Sequence, residues 1–574
     1  MEKSGGPFAK LKNDRLVLGL ILLVVVLGLF IRLNDFSQVG YWNDDMGTVP
    51  AGLLWFYPHE YYPGLSGAGK PPVANWLIGK GCMMSGEDFS GVSYIQPDYY
   101  AGREALLGEP MVNANNECHL PIYIFGILFF LAISLFFLLL LPKLSALYGI
   151  SFFAFFPYIL RFSRWIHDDV ILWFFLIVGL IFLYLAYKSH KGKDTLWFFL
   201  AGGFFGLATA TKFSAGLYLV FTFFLIAEKY FKELLFLSKK LFLSLDLDFA
   251  KKIQDVEEHN MQQMIKNCFV AFVGYLILLL APFGFKPSQL IEVYQFFGSK
   301  YSDVSGIIFN YQFYEIIYEF LLNMNVLDLL IFILAIIVFI KLIKKKNKSS
   351  REKFILYLTM LGLLGMILFS ALTLFRVAIA YMFGFVLLMC WVFSQRKTAP
   401  FAIKRVYALI FIGIYIIFSF GIAYTTSPYF VSTNHLLCAV SPDSCRDYVY
   451  TGLADMSAKE TGEYLLTILE DDETFVGMEG ILFYYLRSEQ GPIFLQFRNW
   501  FQQETGEMPT LEEKAQYFQT EQWTTRYVLL HPYGRSTSDD IAEFRDMYTP
   551  MHIIEMQGKD IVYIYDVEEL GWNE

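Results

Sequence analysis

The feature that most constrains this chain is a series of long apolar stretches without charge. Residues 16–31 and 122–141 contain no Asp, Glu, Lys or Arg. A hydrocarbon layer about 30 Å thick is crossed by about 20 such residues in a helix. Composition agrees, since 56% of the 574 residues are hydrophobic and 17% are charged. An ordinary soluble domain has about 25% charged residues. A single soluble core has no use for so much apolar surface, and the same numbers exclude a disordered chain. The expected fold class is a polytopic α-helical membrane protein.

Eleven apolar spans can be placed, at roughly 15–33, 120–141, 145–160, 169–187, 195–210, 213–228, 266–284, 326–343, 353–373, 376–395 and 404–425. Short loops rich in Lys and Arg stay in the cytoplasm. Lys10, Lys12 and Arg15 precede the first span, and Lys188, Lys191 and Lys193 follow the fourth. Further basic clusters lie at 229–266, 341–353 and 396–405. With eleven spans, all of these fall on one side. The N-terminus is then cytoplasmic, and the C-terminal tail is outside. The first span is read as a retained helix, not a cleaved signal peptide.

Charge divides the chain in the same way. Of 54 acidic and 45 basic residues in the whole chain, 26 and 9 fall in 429–574. An acidic, water-facing tail therefore follows a mildly basic membrane part. Nucleic-acid binding needs clustered Lys and Arg, and is not expected. The domains expected are a membrane part over 1–428, with outer loops 34–119 and 284–325, and an extracytoplasmic tail over 429–574. The first loop is rich in Trp, Tyr, Gly and Pro, and suits the membrane surface. In the tail, 457–469, 511–518 and 540–547 read as helical. Residues 474–478 and 526–531 read as extended, and 552–565 as a hairpin. This is the pattern of a small α/β domain.

The cysteines follow the topology. Cys268 and Cys390 fall in spans, whereas Cys82, Cys118, Cys438 and Cys445 fall outside as two pairs. Disulfides persist on the oxidising side. Cys82–Cys118 and Cys438–Cys445 are the expected pairs, and no zinc-site spacing is present.

Ionisable groups at the outer ends of the spans are the informative residues, because charge at membrane depth marks a site. Tyr41-Trp42-Asn43-Asp44-Asp45-Met46 places two adjacent carboxylates among aromatic rings. A solvated loop or a helix N-cap is the alternative there. Lys70-Pro71-Pro72 holds a lysine at the entry to an apolar helix, where proline is also ordinary grammar. Arg161, Arg164, His167, Asp168 and Asp169 crowd one short outer turn, where a structural Arg–Asp pair is the alternative. Lys212 and Arg376 stand in two further tight outer turns, from which each could snorkel to headgroups. Outer cations and carboxylates at a lipid boundary suit a substrate with a lipid tail and a phosphate head.

Together these residues resemble the GT-C glycosyltransferases that use polyprenyl-phosphate sugars, in the protein-mannosyltransferase and aminoarabinose-transferase branch. Asn43-Asp44-Asp45 is similar to that branch's Asp-Glu motif, with Asp45 in place of Glu. Lys70-Pro71-Pro72 resembles its His-Pro-Pro segment, with Lys replacing His. Residues 163–169 resemble its Ser-Arg-…-Asp stretch, which places the acid on Asp169. Residues 206–212 resemble its Gly-Leu-Ala-…-Lys segment, and Arg376 resembles the Arg of a late span. No Trp-Trp-Asp motif is present, which disfavours block transfer of an oligosaccharide to Asn. The acidic tail does not resemble the β-trefoil of eukaryotic protein mannosyltransferases.

The resemblance implies transfer of a hexose or pentose from a polyprenyl- or dolichyl-phosphate donor to a hydroxyl of a protein, lipid or glycan. No cofactor and no catalytic metal are expected, since the sequence offers no compact acidic cage. A phosphate leaves without a general acid, but its growing charge must be met by fixed cations. One carboxylate then serves as the base that takes the acceptor proton, and a single displacement inverts the anomeric carbon. The roles expected are Asp44 as base, with Asp45 orienting or sharing that part. Lys70, Arg164, Lys212 and Arg376 are phosphate-binding candidates, followed by Arg161 and His167. Asp168 and Asp169 are orienting groups, with Asp169 holding an Arg or the first loop. Tyr294, Tyr301, Asp303, Tyr311 and Tyr314 of the loop 284–325 are sugar-contacting candidates or an interfacial aromatic belt. The expected location is an integral membrane one, in a prokaryotic cell membrane rather than the endoplasmic reticulum. A transporter or flippase is the rival class. It predicts repeated halves and charges near the midplane, neither of which the sequence shows.

Overall fold

The computed structural model describes residues 7–34, 48–49, 52–53, 56, 72–89, 113–190, 192–244, 247–291, 320–369, 375–395, 404–427, 429–430, 453, 457–470, 473–477, 524–530, 547–556 and 558–570. Within these, the side chains of 7–14, 231–259, 368–380, 524 and 569 are left aside.

The apolar stretches are helical. In chain order the helices are α1 Pro7–Leu33, α2 Pro72–Cys82, α3 Asn115–Leu140, α4 Lys143–Phe155, α5 Pro157–Phe162, α6 Asp169–Lys188 and α7 Thr195–Thr211. They continue as α8 Leu217–Ser244, α9 Leu247–Leu280, α10 Val326–Lys344, α11 Ser350–Phe369, α12 Phe375–Val392 and α13 Arg405–Thr425. Among the described residues, seven segments are long and apolar enough to cross a bilayer. These are Arg15–Leu33, Asn115–Leu140, Asp169–Lys188, Phe213–Tyr230, Asn260–Phe283, Val326–Lys344 and Arg405–Thr425. Lys143–Phe155, Thr195–Thr211 and Tyr381–Val392 are shorter apolar helices.

The stretch expected as one span over 145–160 is corrected: it is two helices, α4 and α5. Pro157 supplies the reason. It has no N–H for the carbonyl of Phe153, and it pushes Phe156 out of the helical region, to ψ 112°. Arg32, from the last turn of α1, fills the gap. Its Nη2 donates to Phe153 O at 2.8 Å and its Nη1 to Ala154 O at 3.2 Å.

Helices α7 and α9 pack through small residues. A Cβ on Gly202 would lie 2.0 Å from the Ala271 carbonyl oxygen, and one on Gly206 2.3 Å from that of Tyr275. On the facing helix, a Cβ on Gly274 would lie 2.3 Å from the Phe199 carbonyl oxygen. In lipid, where helices gain little from the hydrophobic effect, such close backbone approach is a main source of association. At the start of α7, Lys229 and Tyr230 of α8 both donate to Asp194 Oδ2 at 2.6 Å, and Asn267 of α9 donates to the Tyr230 hydroxyl at 2.9 Å. This buried network ties the start of α7 to α8 and α9.

The tail carries α14 Ala458–Leu465, a four-stranded sheet and the short α15 Val567–Leu570. The strands are β1 Glu473–Val476, β2 Thr524–Leu530, β3 His552–Met556 and β4 Lys559–Asp566, in the order β1-β2-β4-β3. β1 and β2 are parallel, and the other pairs are antiparallel. Phe475, Val476, Val528, Leu529, Val562 and Ile564 are buried. The expected helix at 457–469, the two expected strands and the hairpin are present, whereas 511–518 and 540–546 lie outside the described residues.

Candidate active site

The site grows from a helical hairpin. α6 and α7 pack against each other and are joined at the Lys188–Thr195 end, so the start of α6 and the end of α7 lie together. This brings Asp168 and Asp169 to Lys212, 43 residues along the chain from Asp169. Each charge suits its helix end, since carboxylates are favoured at an N-terminus and cations at a C-terminus.

The turn before α6 is tightly seated. Ser163 closes α5 by donating from Oγ to Ile159 O at 2.7 Å. Gly126 of α3 leaves room for it, because a Cβ there would sit 2.9 Å from Ser163 Cβ. Asp168 occupies the N-cap position of α6 but makes no capping hydrogen bond with its side chain. Its carboxylate is turned to Lys212 Nζ at 3.2 Å and His167 Nδ1 at 2.5 Å. Asp169 is fully buried and divides its oxygens: Oδ1 takes Lys212 Nζ at 2.7 Å, and Oδ2 faces His167 Nδ1 at 2.8 Å. The Lys212 side chain, 18% exposed, is the most open of the four.

His167, Asp168 and Asp169 offer ligand atoms within 4.8 Å of one another. Brought together by the fold, they form one compact acidic cage. The ammonium of Lys212 reaches both carboxylates of that cage. Two acids, one ammonium and one imidazole thus meet at one end of the hairpin.

Arg161 and Arg164 precede this cluster in the chain. Arg161 is buried, with its guanidinium carbon 5.1 Å from the Trp165 ring centroid and 5.4 Å from that of Tyr158. Arg164 is 1% exposed, and its Nη2 donates to Ile31 O at 2.8 Å and to Asn34 O. Asp169 was expected to hold an Arg or the first loop; among the described residues it meets Lys212 and His167. Cys82 and Cys118 form a disulfide that joins α2 to α3. Cys268 and Cys390 are free.

Asp44, Asp45, Lys70, Cys438 and Cys445 lie outside the described residues, as do Tyr294, Tyr301, Asp303, Tyr311 and Tyr314. Arg376 is the second residue of α12, and its side chain is outside the description. Sequence reasoning missed Arg32, a buried cation in the last turn of α1. It also missed Asp328, a 2% exposed acid that accepts from Tyr148 Oη at 2.8 Å. An acid inside an apolar span was the available signal.

Residues 112–247 match the family described as Dolichyl-phosphate-mannose-protein mannosyltransferase. The match takes in both turns that form the cluster. A search of curated proteins returns no match. Two solved structures align with the chain. One is the archaeal oligosaccharyltransferase AglB from Archaeoglobus fulgidus in complex with an inhibitory peptide and a dolichol-phosphate, at 9% identity and a TM-score of 0.41, covering 90% of this chain and 70% of that one. The other is ArnT from Cupriavidus metallidurans bound to undecaprenyl phosphate, at 12% identity and a TM-score of 0.39, covering 95% of this chain and 98% of that one.

Proposed function

We propose that this glycosyltransferase moves a sugar from a polyprenyl- or dolichyl-phosphate donor to an acceptor hydroxyl on the extracytoplasmic side, with inversion. The observation that carries the reading is one coincidence. The residues matched to the mannosyltransferase family, 112–247, are those whose folding gathers His167, Asp168, Asp169 and Lys212 at one end of a helical hairpin.

In this reading the acceptor oxygen attacks the anomeric carbon, and the bond from that carbon to the phosphate oxygen breaks. The electron pair leaves with the phosphate, and the acceptor proton passes to Asp44, with Asp45 beside it. Cations fixed before the reaction begins meet the charge that grows on the phosphate. Lys212 is preorganised for that part, since two carboxylates immobilise its ammonium while its side chain keeps an open edge. Lys70 and Arg376 are further phosphate candidates, and Arg161 is a weaker one because two aromatic rings cover it. His167 turns Nδ1 to the two acids and so helps hold them. The tail 429–574 is read as an extracytoplasmic domain beside a membrane part over 1–428.

Replacing Asp44 by Asn tests the assignment of the base. Loss of a positioned base lowers turnover by about 10²–10⁴-fold. The expected outcome is a loss in that range with unchanged binding of undecaprenyl phosphate and an unchanged melting temperature. Transfer by Asp44→Asn at the wild-type rate would overturn it.

A further inference from the structure

Arg32 and Arg164 are two buried arginines whose side chains cross between the same two pieces of backbone. Arg164, in the turn after α5, closes the Ile31 and Asn34 carbonyls at the end of α1. Carbonyls in the last turn of a helix have no helical partner of their own. Arg32, in that same turn of α1, closes the Phe153 and Ala154 carbonyls at the break made by Pro157. An aromatic ring covers each guanidinium: Phe130 at 4.3 Å for Arg32 and Phe430 at 5.0 Å for Arg164.

Three parts of the chain therefore meet at Arg164. One is the exit of α1, ten residues before Asp44. Another is the turn that runs on into His167, Asp168 and Asp169. The third is Phe430, at the start of the acidic tail, whose neighbour Tyr429 donates to Glu460 of α14. Both N–H donors of Nη2 are committed to backbone carbonyls, and one face of the guanidinium lies under an aromatic ring, so the side chain is used to hold backbone in place.

We propose that Arg164 is a positioning residue, and that with Arg32 it forms a crossed clasp. The clasp fixes where the first outer loop leaves α1 relative to the Asp168–Asp169–Lys212 group. Its functional consequence rests on the reading of Asp44 as base. Misplacing a reacting group by about 1 Å costs roughly 10²-fold in rate. A lysine does not replace Arg164: both carbonyls are met from Nη2, whose two N–H bonds lie in the fixed plane of the guanidinium, whereas an ammonium is a compact point charge without that orientation.

The test compares the full-length wild type with Arg32→Met, Arg164→Met, Arg164→Lys and the Arg32→Met/Arg164→Met double variant. Undecaprenyl phosphate is titrated by tryptophan fluorescence, and dolichyl-phosphate-mannose is the probe donor for turnover. Each Met variant is expected to lower kcat by about 10- to 100-fold, with lipid-phosphate binding unchanged within about threefold. Arg164→Lys should not restore kcat. The double variant should be no slower than the worse single one, because the two residues act as a unit. The proposal is overturned if Arg164→Met weakens undecaprenyl-phosphate binding by about tenfold or more while Arg164→Lys restores it and Arg32→Met binds normally. A substrate-free readout separates this from the transferase reading. Chymotryptic cleavage within 35–71 should be faster in both Met variants. Should the wild type neither bind undecaprenyl phosphate nor consume the donor, the transferase reading fails while faster cleavage still upholds the clasp. Unchanged cleavage in both variants overturns the clasp.

Discussion

At the scale of single residues, Asp169 sets the terms. A fully buried carboxylate is tolerated only with its charge met, and here Lys212 and His167 meet it. Removing one partner of a buried pair is costly because the other charge stays behind, typically by roughly 3–5 kcal/mol. Lys212→Met is therefore expected to lower the melting temperature strongly and to abolish transfer. Asp169→Asn should be milder, since Lys212 keeps Asp168 at 3.2 Å. The double variant Lys212→Met/Asp169→Asn should regain part of the stability lost by Lys212→Met. Equal melting of Lys212→Met and wild type would contradict the pairing. The crowded turn at 161–169 was legible in the sequence because cations there run against the orientation rule. The partner of Asp169 was not legible, because it comes from another turn and meets the acid only once the hairpin has formed.

At the scale of elements, α7 and α9 show why a glycine can matter as much as a charge. Gly206 lies against the Tyr275 carbonyl, six residues before Lys212, which directly follows the last residue of the same helix. Gly206→Leu is expected to push the helices apart, costing about 1–3 kcal/mol or more and displacing Lys212 from the two acids. Melting and transfer assays check this, and an active Gly206→Leu with unchanged melting would contradict the packing. The start of α11 offers a pH-dependent case. Ser349 N–H donates to Glu352 Oε2 at 2.9 Å, Glu352 N–H donates to Ser349 Oγ at 3.3 Å, and Lys345 Nζ reaches the carboxylate at 2.7 Å. This is a capping box reinforced by a cation. Burial pushes the Glu352 carboxyl up, but Lys345 and the Ser349 N–H outweigh it and hold the group below its ordinary value. A depressed folded-state pKa adds stability above the unfolded value, about 4.3 for Glu, and the addition is lost as pH falls through the folded value. Glu352→Gln should cost roughly 1 kcal/mol near neutral pH. The gap to wild type should close in acid, and a gap constant over melts from about pH 7 to about pH 3 would contradict the assignment. Helices were readable from apolar runs at this scale. The break at Pro157 was passed over because apolar residues continue on both sides of it, and hydropathy does not register a missing N–H.

At the scale of the whole molecule, chemistry concentrates where chain segments distant in sequence are tied together. The Cys82–Cys118 disulfide fixes α2 to α3 across a separation of 36 residues. Closing a loop of that length is worth about 3–4 kcal/mol in the chain-entropy account. Cys82→Ser is expected to lose about that much, and a reductant should narrow the gap between wild type and the variant. Wild-type melting in Cys82→Ser would contradict a formed bond. Composition and charge made the helical membrane part and the acidic α/β tail legible, because both depend on residue types summed over long windows. The crossed arginines were not, since each acts on backbone carbonyls, and no side-chain pattern announces a carbonyl. The central claim is transfer from a lipid-phosphate sugar, and its most direct measurement is donor turnover by the purified full-length protein. Presented with dolichyl-phosphate-mannose and a panel of other polyprenyl-phosphate sugars, the wild type should release lipid phosphate from one of them and place its sugar, inverted, on an acceptor hydroxyl, while Asp44→Asn does neither. Intact donors across the whole panel, or equal turnover by wild type and Asp44→Asn, would contradict the account.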